Sequence, residues 1–219
     1  MRHLRLLVLA TVAVVVCAPP AARAHDPHKH RSGAVITPSK GKYVGESWAQ
    51  LFSLPLSVNP EVGNGNPCLR VGHNVVVAIH GGPCTIRQGT ALMIGLGSAW
   101  SNAEYPYPAT EAAQRAEALA GDQGLTEFTI SVDDDRPVDI RRRRFELFSP
   151  QRTVQLPEDN ILDGLDPERP EVPAQTITFT AHAWVALVRN LRPGRHTIVA
   201  SAVWGEPFAI SHDITVVRR

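Results

Sequence analysis

The stretch Thr176–Val188, TITFTAHAWVALV, decides how this chain folds. Ile177, Phe179, Ala181, Ala183, Val185 and Leu187 occupy alternate positions, the period of two of a strand with one face against a core. Downstream, Pro193-Gly194 turns the chain into His196–Val203, and Ile210–Val217 closes it. The two long segments on either side of that Pro-Gly turn predict a hairpin. Upstream, Asn74–Ile79 is a β-branched run bounded by Gly72 and Gly81-Gly82-Pro83, and Thr90–Leu96 is a second apolar run. Phe128, Ile130 and Val132 alternate before the turn Asp133–Pro137; Phe145–Phe148 and Val154–Leu156 read as short strands around Ser149-Pro150.

Two helices interrupt this pattern. Trp48, Leu51 and Phe52 stand at i, i+3 and i+4, and Pro55 must end the helix they mark. Thr110 is placed to cap a second helix over Glu111–Ala120, which Gly121 stops. Residues 59–67 read as loop. The expectation is a mainly β protein: an antiparallel β-sandwich, or a barrel-like variant, with one or two short helices. A doubly wound α/β fold would need many more helical crossovers.

The chain has 219 residues, 43% apolar and 20% charged, with 16 Gly and 18 Pro, which excludes collagen, coiled coil and wholesale disorder. Twenty-two basic residues against 21 acidic give no field that would draw nucleic acid or an anionic membrane.

Residues 1–24 read as a secretory signal peptide. Arg2, His3 and Arg5 open it, Leu6–Val16 is apolar, and Ala22-Arg23-Ala24 offers small residues for cleavage. The apolar run is about half of the roughly 20 residues that a bilayer span needs, and no later segment is longer, so no membrane span is expected after cleavage. Residues 25–42 read as a flexible His-containing tail, and 43–219 as a single β-rich secreted domain. Cleavage would leave 19 basic and 21 acidic residues, with Cys68 and Cys84 as the remaining cysteines. In an exported chain this pair predicts one disulfide with a structural role.

The order of several motifs resembles a family of secreted bacterial proteins of uncharacterised function. The stretches that carry it are Gly45-Glu46-Ser47-Trp48, Leu54-Pro55, Asn59-Pro60, Cys68 with Cys84, Leu156-Pro157-Glu158-Asp159-Asn160 and Leu191-Arg192-Pro193-Gly194-Arg195-His196-Thr197-Ile198. The similarity covers about residues 41–219. This chain departs from the pattern at Phe52, where tryptophan is usual, and at Ala181-His182-Ala183-Trp184 in place of Asp-Gly-Tyr-Trp. The resemblance implies secretion, the disulfide and the fold; it implies no chemistry.

Four groups of residues invite a chemical reading. His25, His28 and His30 would place an imidazole beside the new N-terminal amine, a pair able to chelate copper if a third ligand came from the body of the chain; as members of a tail they bind metals opportunistically. His80-Gly81-Gly82 and Gly95-Leu96-Gly97-Ser98 suggest a secreted Ser/His hydrolase, which would need His80 or His182 within reach of Ser98 and an acid, but the Gly-x-Ser-x-Gly elbow is missing, and a turn presenting Cys84 accounts for the glycines. Asp133, Asp134, Asp135 and Asp139 fail the EF-hand pattern, since Val138 stands at its sixth position, and read as a solvated turn beside Arg141–Arg144. Trp48 and Trp184 fall on apolar faces and read as core. Trp100, Tyr105 and Tyr107 fall in the loop 98–109, SAWSNAEYPYPA, where exposed rings would form a binding surface; packing of the loop onto the sandwich is the alternative that would bury them. The sequence thus predicts a non-catalytic binding or structural module, secreted or in the cell wall, with extracellular glycan as its partner and no cofactor.

Overall fold

The computed structural model describes residues 32–165 and 170–218. In chain order its elements are β1 (Val35–Pro38), α1 (Gly41–Ser53), β2 (Cys68–Gly72), β3 (Val75–Ala78), β4 (Gly82–Arg87), β5 (Ala91–Ser101) and α2 (Glu111–Gly121). There follow β6 (Leu125–Val132), β7 (Val138–Asp139), β8 (Glu146–Phe148), β9 (Arg152–Gln155), α3 (Ile161–Leu165), β10 (Thr176–Arg189), β11 (Gly194–Trp204) and β12 (Glu206–Val217). The first sheet runs β1-β10-β5-β3-β2, with β8 and β9 also on β10; the second runs β4-β12-β11-β6-β7. Neither path closes on itself, so the arrangement is a sandwich and not a barrel.

β10, the stretch that decides the fold, has both edges and both faces in use. One edge pairs with β5 over Phe179–Val188; the other is tiled by β1 at Ala186–Arg189, β8 at His182–Trp184 and β9 at Thr176–Phe179. Ile177, Phe179, Ala181, Ala183, Val185 and Leu187 pack in one core with Leu51 and Phe52 of α1 and Ile161 and Leu162 of α3. Trp184, Ala186 and Val188 pack in a second core with Phe128, Ile130, Ile198, Ala200 and Ile214 of the facing sheet. The alternation therefore separates two buried faces, and the chain builds three layers: helices, sheet, sheet.

Crowding around β10 explains where the structure departs from expectation. The hairpin expected across Pro193-Gly194 does not form, because β10 has no edge left; β11 crosses to the second sheet and pairs with β12 through the turn at Gly205, where φ is +72°. The expected antiparallel sandwich is mixed, with β3–β5 and β4–β12 parallel. The chain steps from β3 in one sheet to β4 in the other and back to β5, so β5 returns in the direction of β3. The expected flexible tail over 25–42 also ends early. Val35–Pro38 pairs with β10, and Ser32 Oγ donates to Asp135 at 2.5 Å. A proline suits the end of such an edge strand, where no ladder partner needs its missing N–H.

Cys68 and Cys84 form the expected disulfide. It joins β2, the last strand of the first sheet, to β4, the first strand of the second, and so clips the sandwich along one side. Thr110 caps α2 as expected, its Oγ1 accepting from Ala113 N–H at 3.2 Å. Replacing Thr110 by alanine should cost about 1 kcal/mol, read as a shift in urea midpoint with an unchanged slope. Among the described residues no helix is long and apolar enough to cross a membrane.

Candidate functional site

β5 ends at Ser101, and the loop from Asn102 to Ala109 carries the chain into α2. Short polar contacts hold it. Glu104 Oε1 accepts from Ser101 N–H at 2.9 Å and from Ser101 Oγ at 2.8 Å. Asn102 brackets Thr178 of β10: its N–H donates to the Thr178 carbonyl at 3.0 Å, and its Oδ1 accepts from Thr178 N–H at 2.9 Å. Gln114 of α2 donates to Pro108 O at 2.9 Å and to Thr178 O at 2.9 Å, and the Tyr107 N–H donates to Glu104 O.

On this frame two tyrosines stand in solvent, Tyr105 79% and Tyr107 62% exposed, their rings edge to face with centroids 5.9 Å apart. Tyr107 has φ +61°, a left-handed conformation that a bulky residue seldom adopts. It lines a cleft of 260 Å³ with Asn102, Ala103, Pro170, Glu171 and Gln175. Glu171, Val172 and Pro173 form the wall between this cleft and a second of 470 Å³ that Glu158, Asp159 and Asp163 line.

Trp100 does not join the pair. β5 runs past the expected strand end at Leu96, because residues 98–101 pair with His182–Phe179 of β10. Trp100 is thus a strand residue, half-buried, with its Nε1 shut off from solvent. Trp184 lies in the core as expected, and Trp48 packs against the other core.

A second constellation, whose acids sequence reasoning did not find, lies where the second sheet stops and α2 takes over the same face of β10. His182 is fully buried. Its Nδ1 is 2.7 Å from Oδ2 of buried Asp122, just past α2, and its Nε2 is 3.3 Å from Glu146 Oε1 on β8. Phe148 and Trp184 flank the imidazole, each with a centroid separation of 4.6 Å, and the Arg141 guanidinium lies 3.7 Å from the Trp184 ring centre. Ser98, opposite His182 in the ladder, donates its N–H to Asp122 Oδ2 at 3.2 Å and its hydroxyl to Ala118 O at 2.9 Å.

No protein-family model and no curated protein matches this chain.

A Ser-His-acid line would need the serine hydroxyl on the imidazole nitrogen remote from the acid. Ser98, His182 and Asp122 are indeed neighbours, but that nitrogen faces Glu146 and the hydroxyl faces a backbone carbonyl. The constellation ties α2, β8 and β10 together. The other histidine considered beside Ser98, His80, has its Nε2 3.0 Å from Glu61.

His25, His28 and His30 lie outside the described residues. Among the described ones no group of three His, Cys, Asp or Glu is arranged to hold a metal. The acidic turn is structural: Asp133 accepts from Thr197 N–H at 2.9 Å and lies 3.0 Å from His196 Nδ1, while Asp139 accepts from Arg141 N–H at 3.0 Å and pairs with Arg142.

Proposed function

We propose that this protein is a non-catalytic module, working outside the cytoplasm, that holds a glycan against Tyr105 and Tyr107. The observation that carries this reading is the exposure of both rings on a loop tied to two elements of the fold. Two large apolar surfaces left in water gain nothing in the free protein, and each stacking partner would cover one. The loop is ordered before binding, so little conformational entropy would be lost on capture. The adjoining cleft supplies the Asn102 and Gln175 amides and the Glu171 carboxylate, groups suited to sugar hydroxyls. The signal-like leader, the disulfide and an order of motifs that resembles a family of secreted bacterial proteins support the extracellular part of the reading.

The test is retention on insoluble cellulose, chitin and peptidoglycan. The parent should be held by at least one of them, and Tyr105→Ala with Tyr107→Ala should lower its apparent affinity about tenfold, the effect of losing two ring contacts of roughly 0.5–1.5 kcal/mol each. Equal retention of parent and double variant, or no retention of either, overturns the reading.

A further inference from the structure

Away from the tyrosine loop, a Glu61–His80 pair and the buried His212 lie near the disulfide-clipped edge. Glu61 sits in the 3₁₀ turn Pro60–Val62, which buried Asn59 caps: its Oδ1 accepts from Glu61 N–H at 3.1 Å, and its Nδ2 donates to Leu51 O at 2.7 Å in the last turn of α1. Glu61 Oε1 is 3.0 Å from His80 Nε2. His80 opens a hinge of three consecutive left-handed residues, with φ +48° at His80, +79° at Gly81 and +85° at Gly82. A Cβ on Gly81 would come within 2.7 Å of Ser211 O, so the hinge lies directly against β12. The next residue of β12, His212, is 3% exposed, and its Nδ1 has no hydrogen-bond partner.

We propose that Glu61, His80 and His212 form an acid-released latch that holds β4 on the second sheet. β4 ends that sheet and pairs with β12 in parallel over Gly82–Arg87, while Cys84 tethers it to β2. Opposite His212 lie Gly82 of β4 and Ile198 of β11, neither of which can take or share a charge. The ionisable group that acts on it is His80, from the hinge, and behind His80 stands Glu61. Burial, and then the charge of His80, lowers the pKa of His212 to about 4, whereas the hydrogen bond to Glu61 raises that of His80. As pH falls, His80 charges first against Glu61, a step that favours the closed form. His212 behaves oppositely. Its stabilising effect is complete above the ordinary histidine pKa and is lost as pH drops from there towards about 4. Water can reach a charged His212 when β4 lifts off β12 about the His80–Gly82 hinge, with the disulfide keeping the excursion local.

The test is amide hydrogen exchange at about pH 7 and about pH 4, corrected for intrinsic rates, with the amides of β11 as internal reference. The opening constant of Gly82–Arg87 should rise on the order of a hundredfold while β11 changes little. His212→Phe, which stays neutral, should remove most of that rise. In the parent, a ring-carbon NMR titration should show His212 neutral down to about pH 5. The latch is overturned if β4 and β11 lose protection together, if His212→Phe opens like the parent, or if His212 titrates as an ordinary histidine.

Discussion

Asp122→Ala is expected to destabilise the protein by about 3–5 kcal/mol, the cost of breaking a buried charge-assisted network by removing one partner. Asp122 Oδ2 faces both His182 Nδ1 and the Ser98 N–H, and both Asp122 and His182 are fully buried. Deleting the carboxylate strands two polar groups in a dry interior, where each unsatisfied donor costs about 1–3 kcal/mol. It also loosens the junction at which α2, β5 and β10 meet. Glu146→Gln supplies the contrast. The Glu146 side chain is one-third exposed, so water can replace what it loses, and its cost should stay near or below 1 kcal/mol. Urea unfolding of the two variants beside the parent measures both effects. An Asp122→Ala protein as stable as the parent would show that His182 is held by packing between Phe148 and Trp184 alone.

Removing the disulfide by Cys68→Ala with Cys84→Ala is expected to cost about 3 kcal/mol, the chain-entropy value for a loop of this size. The bond spans a sequence separation of 16 and joins edge strands of different sheets. The loss should therefore show first as exchange of β2 and β4 amides and only then as global unfolding. Thermal melts of oxidised parent, reduced parent and double variant measure it. Reduced parent and variant should agree closely; a variant that melts with the oxidised parent would mean that β4 is held by its pairing with β12 alone.

The sequence was informative wherever a short pattern is tied to one physical outcome. Thr110 before an Ala- and Glu-rich run is an N-cap, and it caps. Ile177 to Leu187 at every second position is a buried strand face, and it is buried. Two cysteines in a chain read as exported form a pair, and they do. That Tyr105 and Tyr107 lie in a loop was also legible, because Tyr105-Pro106-Tyr107-Pro108 cannot continue a helix or a central strand, but the choice between rings packed on the sandwich and rings in solvent was made by the tertiary structure. Trp100 was misplaced because strand ends depend on a partner, and its partner Thr180 lies 80 residues away. Asp122 and Glu146 were missed because each looks like an ordinary surface acid, one past a helix end and one beside an arginine run. They become neighbours of His182 when α2 and β8 dock on β10 from separations of 60 and 36 residues.

By itself, then, the chain determined its local elements, its two-residue and 3.6-residue periodicities and its sulfur pairing, because these follow from steric and solvation preferences that act within a few residues. Tertiary structure alone decided that β10 is buried on both faces, that β10 and β11 part into different sheets, and that Asp122, His182 and Glu146 converge. Those outcomes depend on which edges and faces remain free once the other strands have paired, and no local pattern encodes that competition.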